Sequence, residues 1–185
     1  FFGNGVVAHA GFGDPVCPEL SKLVHSSVAE LLDEKSLENS EAVKVHMGGT
    51  YVCMEGPAFS TRSESEMYRL LKGTVIGMTC LQEAKLAREA EIAYSCIATV
   101  TDYDCWNLDH GNVTVDMVLQ VLHSNGTNAQ KIISRLVQKL HSNKYHNPVV
   151  HDAMKFAILT PLNTISDESR NRLGVIISKY ATASQ

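Results

Sequence analysis

Residues 48–106 constrain the fold most, because they contain two strand-like runs that each end in a polar loop. The first run, residues 50–54, alternates in character and is broken by Gly56-Pro57, a strong turn pair. The second run, residues 94–100, is small and β-branched, as expected of a buried strand in a parallel sheet. Open α/β sheets bind ligands beyond the carboxyl ends of their strands. The segment therefore predicts an α/β fold with a site at these strand ends.

The two loops carry groups that suit a purine. Phe59 offers a flat apolar face and Ser60 a hydroxyl, while Asp102 and Asp104 follow the second run. Aspartates one residue apart on an extended segment point to opposite sides, so we expect one to face the ligand. The other would orient the loop or reach a second ligand atom. The same pattern also fits a core phenylalanine with two loop-capping aspartates, and spacing alone leaves both interpretations open.

Length and charge exclude several classes of protein. A chain of 185 residues with 44% hydrophobic residues is long enough for one domain with a sizeable core. The net charge of −4 argues against a nucleic-acid binder. No apolar run is long enough for a bilayer and no leader opens the chain, so we expect no membrane partner and a cytoplasmic protein, with the nucleus as a second compartment. The scattered cysteines and histidines predict no disulfide framework and no metal site.

Apolar residues at helical spacing predict the remaining elements. Helices are expected to begin near residues 18, 63, 82, 114 and 167. Further strands are expected at residues 43–47 and 74–76. Asn125-Gly126 marks a possible break in the helical pattern that continues to Leu140.

Three ordered motifs resemble methylthioadenosine phosphorylases within the trimeric purine nucleoside phosphorylase family. They are GGTYVCMEGPAFSTRSES at residues 48–65, VIGMT at 75–79 with Glu83, and TDYDCW at 101–106. The resemblance runs from about Gly5 to about Pro161 and leaves residues 162–185 as a helical tail outside the matched region. It implies a single α/β domain over residues 1–185, a mixed β-sheet flanked by helices. This chain would supply the carboxyl-terminal portion, and the family's amino-terminal part with its Gly-rich phosphate loop would be absent.

The resemblance also assigns residues to the base side of the site. Asp102 would be the catalytic acid that gives a proton or hydrogen bond to the imidazole nitrogen of the base. Ser60 and Asp104 would complete the base contacts, and Phe59 would lie against the sugar and base. Relatives that act on 6-oxopurines carry asparagine at the position of Asp102, so an acid there favours a 6-amino purine. Gly77, by contrast, is a feature shared with the 6-oxopurine relatives.

The sugar and phosphate sides are assigned in the same way. Met78 would lie at the ribose and Thr79 at the phosphate. Val115, Leu119 and Leu159 would line an apolar pocket for the 5′ substituent. His9 would reach that substituent across a subunit boundary.

The activity implied by the resemblance is phosphorolysis of S-methyl-5′-thioadenosine by inorganic phosphate. This pentosyltransferase reaction of purine salvage gives adenine and 5-methylthioribose 1-phosphate, needs no cofactor and would take place in a homotrimer. Two alternatives stay open. One is a 6-oxopurine nucleoside phosphorylase, and the other is a truncated nucleoside-binding module without activity.

Overall fold

The computed structural model describes residues 1–107, 115–142 and 145–181, and the chain divides into two compact units. The first unit contains residues 1–20, 81–95 and 145–185, and the second contains residues 21–80 and 96–144. The described elements, in chain order, are α1 (Pro18–Asp33), β1 (Tyr51–Cys53), α2 (Arg62–Leu70), β2 (Val75–Gly77), α3 (Cys80–Glu89), α4 (Val115–Ser142), α5 (Pro148–His151), a 3₁₀ helix (Leu162–Thr164) and α6 (Asp167–Ala181).

The sheet of the second unit is a parallel pair. In β1 and β2, Tyr51 lies opposite Val75 and Cys53 opposite Gly77. The ladder ends where the Met54 amide donates to the Gly77 carbonyl oxygen at 2.9 Å. A Cβ at position 77 would overlap the Tyr51 hydroxyl, so packing inside the sheet accounts for the glycine. The predicted strands at residues 50–54 and 74–76 are confirmed, with each three residues long.

The strands predicted at residues 43–47 and 94–100 are wrong. Neither segment is a strand in the part of the chain that the structure describes. Val45, Met47 and Val100 are 38%, 52% and 64% exposed. A β-branched run becomes a strand only where a second backbone lies beside it to complete the hydrogen-bond ladder. Composition alone therefore predicts more strands than the described residues form.

Helices α1 and α4 form the core of the second unit. Their packing buries Val28, Leu31, Leu37 and Ile132. Helix α4 runs through Asn125-Gly126 without interruption, so the possible break does not occur. One internal glycine costs only about 1 kcal/mol relative to alanine, which a long helix packed in a core tolerates.

Charged side chains add to the contact between α1 and α4. Arg135 lies 3.0 Å from Glu30 and 2.7 Å from Glu34, and Lys139 lies 2.6 Å from Glu30. Hydrogen bonds from Lys139 and Arg135 lower the pKa of Glu30, and the hydrogen bond from Arg135 lowers that of Glu34. These cations and carboxylates fix the register of two helices that are distant in sequence.

Helix α6 supplies much of the core of the first unit. Its Leu173 and Ile177, four residues apart on one face, are buried with Val6 and Ile165. The opposite face of the helix carries Val175, which is 98% exposed. The amino-terminal segment joins this core, because residues 8 and 158 form an antiparallel bridge.

Glu91 connects three parts of the first unit. Its side chain is 7% exposed and one carboxylate oxygen accepts from the Met154 amide at 2.8 Å and from the Tyr180 hydroxyl. The other oxygen lies 2.5 Å from the Lys179 ammonium group. The carboxylate therefore holds the end of α6 against the chain that follows α3.

Within the described residues, no helix combines the length and the apolar character needed to cross a membrane.

Candidate nucleoside site

The loop after β1 is held in shape at both of its ends. Gly56 has a φ of 70° and precedes a cis peptide bond to Pro57. A Cβ at this glycine would come within 2.9 Å of the Met78 sulfur, so the turn lies directly against Met78. Met78, the first residue after β2, therefore lies against the loop that follows β1.

The other end of the loop is the cap of α2. The Thr61 hydroxyl accepts from the Glu64 amide at 3.3 Å, and the Glu64 carboxylate accepts from the Thr61 amide at 2.7 Å. This is a capping box, which satisfies two free amides of the first turn. The hydrogen bond from the Thr61 hydroxyl lowers the pKa of Glu64. Thr61 thus has a structural role at the edge of the site.

The acid loop, residues 101–107, is folded back on itself. One Asp102 carboxylate oxygen accepts from the Asp104 amide at 2.9 Å, and the other accepts from the Thr101 hydroxyl at 2.6 Å. Asp104 has a φ of 61°, in the left-handed region. The expectation that both aspartates lie on an extended segment is therefore wrong. The hydrogen bond from the Asp104 amide to the Asp102 side chain stabilises a turn in place of an extended segment, as short acidic side chains often do.

Direct contacts join the acid loop to the loop after β1 and to α2. The Arg62 guanidinium donates to the Cys105 carbonyl oxygen at 2.8 Å, and the Cys105 thiol donates to the Ser60 carbonyl oxygen at 3.3 Å. The Ser65 hydroxyl donates to the Asp104 carboxylate at 2.7 Å. Burial and the nearby Asp104 charge raise the pKa of the Cys105 thiol. Ser65 and Cys105 were not among the residues predicted for the site.

The structure brings together one group of the predicted residues. Ser60, which donates to the Met54 sulfur at 3.6 Å, is tied to the acid loop through Cys105. Asp102 and Asp104 share the acid loop. Met78 packs on the Gly56-Pro57 turn, which precedes Ser60 in the loop after β1. Phe59 is 50% exposed and Thr79 is exposed, as residues open to a ligand would be.

The remaining predicted residues lie on other elements. Val115 and Leu119 occupy one face at the start of α4 and are 63% and 56% exposed. His9 and Leu159 belong to the first unit, where the His9 amide donates to the Ala157 carbonyl oxygen at 2.8 Å. The Leu159 amide donates to the Val7 carbonyl oxygen at 2.9 Å. His9 and Leu159 are thus neighbours on paired segments.

A cavity of about 360 Å³ lies elsewhere in the second unit. Its lining comes from the loop before β1 and from the middle of α4, including Asn39, Val43, Val121 and Asn125. Its lining contains none of the residues predicted for the nucleoside site. Within the described residues, no cluster of His, Cys, Asp and Glu side chains is arranged to hold a metal ion.

Comparisons with known proteins identify the family of the chain. The family model described as the phosphorylase superfamily matches residues 1–138. The chain is 52% identical over 97% of its length to S-methyl-5′-thioadenosine phosphorylase of Thermosynechococcus vestitus, and 49% identical to that of Synechocystis. It covers 60% and 53% of those two proteins, so the chain spans a little over half the length of these relatives.

Solved structures share the fold. A methylthioadenosine phosphorylase from an antarctic soil metagenomic library has a TM-score of 0.81 at 40% identity, covering 95% of this chain and 58% of that one. The methylthioadenosine phosphorylase of Schistosoma mansoni, in complex with adenine, has a TM-score of 0.73 at 26% identity, covering 83% of this chain and 57% of that one. The predicted resemblance and the nucleoside phosphorylase-like α/β fold are confirmed. The chain therefore belongs to the phosphorylase superfamily.

Proposed function

We propose that the protein containing this chain catalyses phosphorolysis of S-methyl-5′-thioadenosine, giving adenine and 5-methylthioribose 1-phosphate. The observation that carries the proposal is the acid loop. The loop that carries Asp102 and Asp104 is bonded through Cys105 to Ser60, in the loop that follows β1, and Met78 packs on the Gly56-Pro57 turn of that same loop. The carboxyl ends of strands are where α/β folds bind ligands. The names of relatives about 50% identical support the same reaction.

In this proposal the acid loop acts on the leaving base. As the bond from the sugar to the base breaks, the base gains electrons and the sugar gains positive charge. Asp102 gives a proton or hydrogen bond to the imidazole nitrogen, and phosphate stabilises the sugar. Asp104 accepts from the 6-amino group, while Phe59 covers the sugar and base. Thr79 is this chain's contribution to the phosphate site, and no metal or organic cofactor takes part.

The proposal extends to assembly and location. Val115, Leu119 and Leu159 provide an apolar wall for the methylthio group, and His9 approaches it from a neighbouring subunit of a homotrimer. The enzyme works in the cytoplasm, with the nucleus as a second compartment. The net charge of −4 of this chain supports a protein without nucleic-acid partners.

The test is release of free base from methylthioadenosine and from inosine, each with and without phosphate. It uses the protein at its natural full length. Phosphate-dependent adenine release is the expected result. Preferential cleavage of inosine would indicate a 6-oxopurine phosphorylase instead. Binding of both nucleosides with no cleavage would indicate the binding module, a candidate kept open by the chain's span of only 53–60% of two relatives.

A further inference from the structure

One face of α2 makes three successive contacts with the acid loop. Arg62, Ser65 and Arg69 are three and four residues apart, so their side chains lie on the same side of the helix. They reach three successive residues of the loop, residues 104–106. Arg69 lies over the Trp106 ring at 4.0 Å, Arg62 bonds to Cys105, and Ser65 bonds to Asp104.

Ser65 differs from the rest of the helix. It is 1% exposed, whereas most other residues of α2 are exposed. A buried hydroxyl needs a partner, and here the partner is one oxygen of Asp104 at 2.7 Å. A hydrogen bond to a charged acceptor is roughly twice as strong as a neutral one. The buried position and the carboxylate partner together make Ser65 a fixed point for the loop.

The second oxygen of Asp104 is fixed as well. It accepts from the Cys105 amide at 2.8 Å, and the backbone at Asp104 has a φ of 61°. Among the described residues, one donor is bonded to each oxygen of Asp104. A carboxylate oxygen has two lone pairs, so a second acceptor site on each is available to a ligand. Because both internal bonds constrain the carboxylate plane, the direction of the remaining acceptor sites is set before a ligand arrives.

We propose that Ser65 and Arg69 are positioning residues that aim the Asp104 carboxylate at the exocyclic amino group of an adenine base. The inference deepens the proposed function and rests on it, since that function makes Asp104 a ligand of the base. Ser65 sets the direction of the acceptor, and Arg69 holds the loop by stacking on Trp106. Discrimination between 6-amino and 6-oxo purines thus depends on a helix that does not itself touch the base.

The positioning of the acid loop by α2 can be tested without an activity assay, because the 185-residue chain has a single tryptophan. Trp106 lies on the acid loop, so acrylamide quenching of its fluorescence reports how the loop is held. Ser65 bonds to Asp104, and a change in quenching in S65A therefore indicates movement of the loop. The matched control is S63A, an exposed serine on the same helix.

We expect S65A and R69K to increase quenching of Trp106, with S63A unchanged. In titrations of the same chain with free adenine and hypoxanthine, S65A should lower the affinity for adenine about tenfold and leave the affinity for hypoxanthine nearly unchanged. S65T, which keeps the hydroxyl, should restore adenine binding. Should S65A fail to fold, R69K carries both measurements, because lysine keeps the charge and loses the planar stacking.

Equal quenching in S65A, R69K and S63A would overturn the positioning role. An equal loss of affinity for adenine and for hypoxanthine in S65A would overturn the role of Ser65 in discrimination, since it indicates general damage to the pocket. If the unmodified chain binds neither base, that result counts against the proposed base site, and quenching still decides whether α2 holds the loop.

Discussion

Asp102 and Asp104 share one loop, but their partners suit them to different tasks. In the part of the chain that the structure describes, the partners of Asp102 lie within the loop: the Asp104 amide at 2.9 Å and the Thr101 hydroxyl at 2.6 Å. Asp104 is engaged by a neighbouring helix through Ser65 at 2.7 Å. A group that transfers a proton during reaction benefits from a local, adjustable network, whereas a group that recognises a base benefits from rigid support.

We predict that Asp102→Asn slows phosphorolysis of methylthioadenosine and moves preference toward 6-oxopurines. An amide cannot protonate the leaving base, so kcat/KM should fall by about 10²- to 10⁴-fold. The amide can donate to a 6-oxo group, so the ratio of inosine to methylthioadenosine turnover should rise. Steady-state kinetics on the full-length protein measures both quantities.

Asp33→Asn is the control for this change, because Asp33 is an exposed carboxylate at the end of α1. It should leave both rates unaltered. Retention of full activity by Asp102→Asn would show that another group stabilises the leaving base, and the role of Asp102 would have to be withdrawn.

Single residues also mark the limit of sequence-based prediction at the site. Asp102, Asp104 and Ser60 could be found because their motifs place them after strand-like runs. The left-handed backbone of Asp104 could not be found, since it depends on two hydrogen bonds formed only in the folded loop. Ser65 carried one faint signal, its place between Arg62 and Arg69 on one helical face, but nothing in that spacing identified an aspartate as its partner.

Among the elements, the longer helices α1–α4 and α6 were predictable, whereas α5 was not predicted and two predicted strands do not form. The start of α2 is set by a capping box, and α6 begins at Asp167 with acidic residues in its first turn, so both signals are local. The pairing of β1 with β2 joins residues 24 apart, Tyr51 and Val75. Residues 94–100 have the composition of a strand, but their state depends on which backbone lies beside them.

Helix α6 is held by a titratable contact, which gives a pH-dependent prediction. Tyr180 donates to the Glu91 carboxylate, and burial together with that carboxylate raises the pKa of Tyr180 to about 12 from 10.0. The protonated phenol is the form favoured in the folded state. Its contribution to stability is therefore complete below pH 10 and lost as the pH approaches 12.

We predict that Tyr180→Phe lowers the free energy of unfolding by about 1–2 kcal/mol near pH 8, because Glu91 loses a buried donor. The difference from the unmodified chain should shrink at pH 11 and approach zero near pH 12 as the tyrosinate forms. Urea unfolding at several pH values measures it. Tyr103→Phe, at a ring that is 59% exposed, is the control, and an equal pH profile in both variants would contradict the role of the Glu91 contact.

At the scale of the whole molecule, the residues predicted for the nucleoside site are divided between the two compact units. The base-side residues Ser60, Asp102 and Asp104 belong to the second unit, and His9 and Leu159 belong to the first. His9 and Leu159 are held together by the backbone pairing of residues 7–9 with 157–159. In the proposed homotrimer, His9 reaches the site of a neighbouring subunit, so we expect activity to depend on the assembly.

This arrangement predicts complementation between two defective subunits. His9→Ala and Asp102→Asn should each be weakly active alone, and we expect co-expressed mixtures to exceed both. A working site needs an intact Asp102 from one subunit and an intact His9 from its neighbour. In every cyclic trimer that contains both variants, one of the three sites combines the two. Differently tagged full-length subunits, purified through both tags, allow base release to be measured on mixed oligomers alone. If activity does not exceed that of the separate variants although mixed oligomers form, His9 serves its own subunit, and the cross-subunit site is excluded.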